Sequence, residues 1–228
     1  MQGKFQMLVV FIAGASASGK TKFAELLLIK LNEIGIDCLS LKMDDYYKEI
    51  PADLDLAQYK QMTNFDNPNS LDLLLLKEHI ITLRQGEFID KPVFDFKIER
   101  RIRTEPIAPP AILLLDGTSA LFFANHFMPD LQTTYKVFIE VNQTILLKRR
   151  TQRDLLERGY ADEMSILKKD AEYVRPTFCT LIEPTKNFAD IIINNNEDYA
   201  VDTTTQLHPF TLCAEKTVET LKDMLIDQ

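Results

Sequence analysis

Residues 7–21 read MLVVFIAGASASGKT, and the fold depends on how this stretch is divided. One division makes MLVVFIAGASA the apolar core and Ala-x-Ala exit of a secretory signal. The other makes MLVVFIA a buried parallel strand, which is also a short continuous apolar run. The apolar run is only about seven residues long, short for a signal core, and Lys4 is the one basic residue before it. Cleavage after Ala17 would cut inside Gly14–Thr21, GASASGKT, which fits GxxxxGK[ST]. The strand reading keeps that motif whole and is adopted.

With a strand before it and a helix after it, GASASGKT has the context that a phosphate-binding loop requires. The glycines let successive backbone N–H groups turn toward one anion, and the helix N-terminus adds partial positive charge. Gly14, Ala15, Ser16, Ala17, Ser18, Gly19, Lys20 and Thr21 are therefore the candidate nucleotide-binding residues. Lys20 would reach the β- and γ-phosphates, and the Thr21 hydroxyl would serve magnesium. The bland alternative is a Gly/Ser-rich turn before a helix. A phosphate loop does not name a reaction, but the sequence has no NKxD or DxxG guanine-nucleotide motif and no LSGGQ-like signature. These absences point to a small-molecule kinase, for which ATP and Mg2+ are the expected cofactors, with GTP left open as the donor.

Composition agrees with a globular enzyme. The chain has 228 residues, 46% hydrophobic and 26% charged, with a formal net charge of -8. An acidic chain is a poor electrostatic match for nucleic acid or anionic lipid, so neither is expected as a partner. No apolar run approaches the roughly 18 residues that span a bilayer. Three scattered cysteines, Cys38, Cys179 and Cys213, read as reduced thiols of a cytoplasmic protein.

Outward from the loop, strands and helices alternate. Strands are expected at 7–13, 37–43, 109–117, 135–141 and 189–195. Helices are expected at 20–34, within 70–85 capped by Asn69 or Ser70, at 143–158, and from about 209. Residues 88–106 read as a small hairpin, and a polar helical stretch runs to about 180. The pattern predicts one α/β domain over 1–228, a three-layer α/β/α phosphate-loop fold around a mostly parallel sheet. The hairpin and an Arg-rich lid, about 148–180, are its insertions.

Topology brings further chemistry to the loop. The helix 20–34 travels about 22 Å, and the strand 37–43 returns by about the same distance. MDDYYK should emerge beside the loop, at the carboxyl edge where open α/β sheets bind ligands. Asp44 or Asp45 could then accept the proton of an attacking hydroxyl, or form a solvated acidic turn. Asp116 closes the apolar strand AILLLD and is read as a magnesium carboxylate, or else as a helix cap. In KRRTQRDLLERGY, Arg150 and Arg153 share one helical face and Arg158 ends the helix. Beside a phosphate loop they read as a lid that neutralises charge and excludes water; in isolation they would read as a solvated charged helix.

The segments GASASGKT, DDYY, NFDNP, PVFDFKIERR, LLLDG, RRTQRDLLERG and EPTKNFADIII occur in the order seen in uridine kinases. The chain resembles the uridine kinase and phosphoribulokinase group over about residues 8–195. The loop alone is generic, whereas RRxxRDxxERG with PTKxxADIII is much more specific. The resemblance implies that Asp44 is the catalytic base, that Tyr47 closes its motif, and that Asp66 holds ribose hydroxyls. It implies that Asp116 is a metal-associated acid, where the family has Glu. It implies catalytic or acceptor roles for Arg150, Arg153 and Arg158, adenine framing by 184–195, and a hairpin that closes over a nucleoside. Many members are homo-oligomers, which makes a homo-oligomer a candidate assembly.

The departures sit on the acceptor side. The family hairpin reads Tyr-Asp-Phe-x-x-His-x-Arg; here it is Phe94-Asp95-Phe96-Lys97-Ile98-Glu99-Arg100-Arg101. Phe94 and Phe96 keep stacking faces for an acceptor. Glu99 replaces the base-reading His, and Tyr160 stands where an Arg normally follows the ERG turn. An ionised Glu99 accepts hydrogen bonds but cannot donate, so it suits an exocyclic amine or a ring N–H better than a carbonyl oxygen. The expected acceptor is the 5′-hydroxyl of a pyrimidine nucleoside. A non-nucleoside hydroxyl compound, or a nucleotide-binding regulator without turnover, are the other two readings.

Overall fold

The computed structural model describes residues 6–51, 54–55, 59, 63–96, 98–157, 162–196 and 209–226. In chain order the main elements are β1 (Leu8–Gly14), α1 (Lys20–Glu33), β2 (Cys38–Lys42), α2 (Leu73–Arg84), β3 (Ile89–Asp95), β4 (Arg100–Ile107), β5 (Ile112–Asp116), α3 (Ala120–Phe127), β6 (Thr134–Glu140), α4 (Gln143–Glu157), α5 (Glu163–Lys169), β7 (Ile191–Asn194) and α6 (Pro209–Ile226). The order β2-β5-β1-β6-β7 makes a five-stranded sheet, parallel at every pairing. β3 and β4 form a separate antiparallel hairpin.

The strand reading of residues 7–13 holds: β1 is the central strand, buried along its whole length. Its side chains alternate between the two faces of the sheet. Val9, Phe11 and Ala13 join a core with α2 and α3, whereas Leu8, Val10 and Ile12 join one with α1 and α6. Each of these side chains larger than Ala13 contributes roughly 1.5–3 kcal/mol by leaving water. A strand covered on both faces has no polar side, and so its sequence is continuously apolar.

The strand order also sets the site. From β1 the chain leaves through α1 toward β2; from β6 it leaves through α4 toward β7. Neighbouring strands whose connections part in opposite directions open a crevice at their carboxyl ends. The GASASGKT loop and the start of α4 border that crevice. No helix among the described residues is long and apolar enough to cross a membrane.

Three local expectations change. Helix α2 is capped by Asp72, whose carboxylate accepts from Leu75 N at 3.1 Å. Asn69 and Ser70 lie instead in a 3-10 turn that is capped by Asn67. Helix α3, weighed only as the cap alternative for Asp116, follows the Gly-Thr-Ser of the β5 exit and has Ser119 at its N-cap instead. The stretch beyond α5 is helical as expected, but not plainly α. Asp170–Val174 and Phe178–Ile182 are π-helical around Arg175–Thr177, and Glu183–Phe188 is 3-10. Pro176 and Pro184 lie in this arm, and neither has an N–H to give to the carbonyl four residues back.

Candidate active site

The loop owes its shape to residues that tolerate unusual backbone angles. Gly14 has φ 146°, and a Cβ there would stand 2.4 Å from the Ile139 carbonyl oxygen on β6. Only glycine allows β1 to turn so close to its neighbour. Ala17 and Gly19 also have positive φ, 66° and 98°, so the backbone reverses repeatedly and its N–H groups form an anion-binding concavity. Asn195, buried past the end of β7, donates from Nδ2 to the Ser18 carbonyl at 2.8 Å. The far edge of the sheet thereby braces the loop.

Lys20 is folded over this loop, its ammonium donating to the Ala15 carbonyl at 2.8 Å. Burial pushes its pKa down, while the charges of Asp116, Asp44 and Asp66 act in the opposite sense. Carboxylates from three separate segments thus act electrostatically on one ammonium. Thr21 Oγ1 donates to Asp116 Oδ2 at 2.6 Å. The other oxygen of Asp116 is buried and has no hydrogen-bond partner among the described residues. Burial raises the Asp116 pKa, against the pull of Lys20 and Thr21. A hydroxyl and a carboxylate with an unfilled oxygen suit a hard divalent ion whose remaining ligands are water and phosphate.

The two acids of DDYY separate in the 3-10 turn Met43–Tyr46. Asp45 faces the hairpin: its carboxylate bridges Lys91 at 2.8 Å and accepts from Phe94 N at 3.3 Å. Asp44 is the member whose charge reaches Lys20. Beyond the turn, Tyr47 lies 5.3 Å from Phe94, 5.6 Å from Phe65 and 6.1 Å from Phe96, measured between ring centroids. These rings make an aromatic wall to which the hairpin contributes two members. Glu99 is buried in the hairpin turn with φ 52°, and its charge acts on Tyr59, a ring that packs on Phe65.

The arginines of α4 are engaged with carboxylates. Buried Arg150 faces Asp154 at 3.3 Å and Asp66 and Asp170 at 3.8 Å each. Arg153 bonds Asp154 at 2.8 Å and donates to Ser16 Oγ at 3.2 Å, reaching the phosphate loop itself. A cavity of about 180 Å³ lies between the loop and the helical arm, with Ala15, Ser16, Asp66, Arg150, Asp170 and Arg175 in its walls. Arg158 and Tyr160 lie outside the described residues. Sequence reasoning missed Asn195 as a brace of the loop, Lys91 as the partner of Asp45, and the carboxylates around Arg150. Except for Asp154, an i,i+4 neighbour of Arg150 on the same helix, each is a contact between distant segments that no local pattern announces.

Comparison with known proteins supports the same assignment. Residues 9–202 match the model of the Phosphoribulokinase / Uridine kinase family. A uridine kinase of Escherichia coli (strain K12) is 34% identical over 190 residues, 82% of this chain and 87% of that protein. One from Vibrio campbellii is 35% identical over 195 residues, 85% of this chain and 89% of the other. The structure of phosphoribulokinase from Rhodobacter spheroides superposes with a TM-score of 0.59 at 13% identity, covering 90% of this chain and 74% of that one, a likeness of fold. Loop, carboxylates, hairpin and sequence relatives agree: the chain belongs to the phosphoribulokinase/uridine kinase family of P-loop kinases, phosphotransferases that act on an alcohol group.

Proposed function

We propose that the chain transfers the γ-phosphoryl group of ATP, with Mg2+, to the 5′-hydroxyl of a pyrimidine nucleoside. The phosphate loop with Thr21 hydrogen-bonded to the buried Asp116 at 2.6 Å carries this reading. The charges of Asp116, Asp44 and Asp66 all act on the Lys20 ammonium, which is consistent with a phosphate-side acid, a base and an acceptor-side acid near the same loop. The aromatic wall of Tyr47, Phe65, Phe94 and Phe96 supports a flat ring as the acceptor's other end.

In this mechanism the loop amides and Lys20 hold the β- and γ-phosphates. Lys20 leaves the Ala15 carbonyl to do so. Thr21 and Asp116 would hold Mg2+, which supplies neutralisation of phosphate charge when bound. Asp66 orients the acceptor's ring hydroxyls. Asp44 takes the proton of the 5′-hydroxyl as its oxygen forms a bond to the γ-phosphorus. The bond between that phosphorus and the bridging oxygen breaks, and ADP leaves. Arg153, already at Ser16, stabilises charge on the transferring group, and Arg150 supports the acceptor side through Asp66. Arg158 is proposed to join them from the end of the helix. The gain over solution comes from placement and electrostatics.

Glu99 favours an acceptor that presents a hydrogen-bond donor, an exocyclic amine or a ring N–H, over one that presents a carbonyl oxygen. The same buried carboxylate stands where the family pattern has His. That observation favours a second reading, a non-nucleoside hydroxyl acceptor. The deciding experiment measures ADP release from Mg-ATP across uridine, cytidine, other nucleosides and small hydroxy compounds, with Asp44→Asn as the control. Nucleoside-dependent release that disappears in the variant is the expected result. ATP binding with release stimulated only by non-nucleosides would establish the second reading. Binding with no release for any acceptor would point to a regulator.

A further inference from the structure

The hairpin β3–β4 has no strand pairing with the main sheet, yet it is cross-linked to the turn that carries Asp44. Lys91 Nζ on β3 meets Asp45 Oδ2 at 2.8 Å. The hairpin register slips between Val93 and Phe94, and at that slip Phe94 N donates to Asp45 Oδ1 at 3.3 Å. On β4, Arg101 donates to the carbonyls of Tyr47 and Tyr46 at 3.1 and 3.2 Å and reaches Asp72 at 3.4 Å. Both strands of the hairpin therefore grip the turn from one side. The Lys91 and Asp45 side chains are only 12% and 18% exposed, which limits solvent screening of the pair. Phe94, whose own N–H is bonded to Asp45, packs against Tyr47 in the aromatic wall.

We propose that Asp45, Lys91 and Arg101 are positioning residues that transmit the seating of the acceptor against the hairpin to Asp44, one residue away from the bridge. Acceptor contact with Phe94 and Phe96 shifts β3, β3 carries Asp45, and the short 3-10 turn carries Asp44 with it. The base is then aligned when the acceptor is present and out of line when only water is. The second acid of DDYY thereby has a partner of its own, Lys91, and is not free to act as a second base. The proposal rests on Asp44 as the base.

The test uses the full chain and three variants, Lys91→Met, Lys91→Arg and Asp45→Asn, with the double variant Asp45→Asn/Lys91→Met. Misplacing a reacting group by about 1 Å costs up to about a hundredfold. Lys91→Met is therefore expected to lower kcat for transfer tenfold or more, while Kd for ATP stays within about twofold. ADP release to water should rise relative to transfer. Lys91→Arg should recover most of kcat, and the double variant should be no worse than the poorer single one, since both remove the same interaction. Wild-type kcat in Lys91→Met, strictly additive losses, or a fall in ATP affinity alongside kcat would each overturn the proposal. Asp44→Asn separates the two levels. If it leaves transfer intact, the base assignment fails. If it abolishes transfer while Lys91→Met changes nothing, only the bridge fails.

Discussion

Asp116 is a buried acid with one oxygen bonded to Thr21 and the other without a hydrogen-bond partner among the described residues. Burial holds its pKa above 3.8, with Lys20 and Thr21 opposing. The folded chain thus keeps a proton that the unfolded chain has already lost. The group's contribution to stability is present at low pH and falls as pH rises from the unfolded value through the raised folded one. A divalent cation requires the ionised form, so its stabilisation runs the other way. The gain in Tm that Mg2+ adds to bound ATP is expected to grow with pH over this window, and to be lost in Asp116→Asn. Thermal melts with and without Mg2+ from about pH 4.5 to pH 7 measure it. A gain independent of pH, or unchanged in the variant, would remove Asp116 from the cation site.

At the scale of elements, the candidate active site is a set of segment ends held in register by tight contacts. The end of β5 passes so close to the Met43–Tyr46 turn that a Cβ on Gly117 would lie 2.6 Å from Met43 Cβ and 2.4 Å from its sulfur. The sulfur can swing aside, but the Cβ is fixed to the turn. Gly117→Ala must therefore displace the turn and Asp44. We expect kcat to fall about ten- to a hundredfold with ATP affinity kept within twofold. Gly86→Ala is the control. It meets nothing within 4 Å, but its φ is 84°, so it costs about 1–2 kcal/mol of stability and leaves kcat unchanged. Equal kinetics in the two variants would show that the turn absorbs the clash.

The same scale explains what could be read beforehand. The five sheet strands were legible to within a few residues: burial on both faces enforces continuous apolar runs in β1 and β5, and the partly exposed β2, β6 and β7 were placed by their β-type residues and by alternation with helices. The loop was legible because its glycines are required locally. Helix α3 was visible only as the cap alternative for Asp116; its N-cap is Ser119, but its short run LFFANHF, close behind a strand exit, gave little helical pattern of its own. The start of α2 moved because several residues near it can cap and tertiary contacts chose Asp72, which also receives Arg101. Asp44 could not be told from Asp45 by spacing, since the distinction depends on Lys91, nearly fifty residues away. The balance of charge around Arg150 depends likewise on Asp66, Asp154 and Asp170, and two of these come from other segments.

Across the whole molecule, the nucleotide loop is an end of the core itself. Lys20 and Thr21 begin α1, and α1 shares one core with β1 and the C-terminal helix α6. Phe210 of α6 is 2% exposed, with its ring 5.1 Å from that of Phe23 on α1. If these layers unfold as one unit, a defect at Phe210 must lower the transition that also releases nucleotide. Truncating a buried Phe to Ala costs about 3–5 kcal/mol, and about 2–4 °C of Tm accompanies each kcal/mol in a chain of this size. Phe210→Ala is therefore expected to lower the main Tm by roughly 10 °C. ATP at a hundred times its Kd adds about 2.7 kcal/mol to the folded state, so most of that loss should return when nucleotide is present. Calorimetry with and without Mg-ATP checks both numbers. A main transition that ignores the substitution would make α6 an appendage, and the loop would then owe its stability to the sheet and α1 alone.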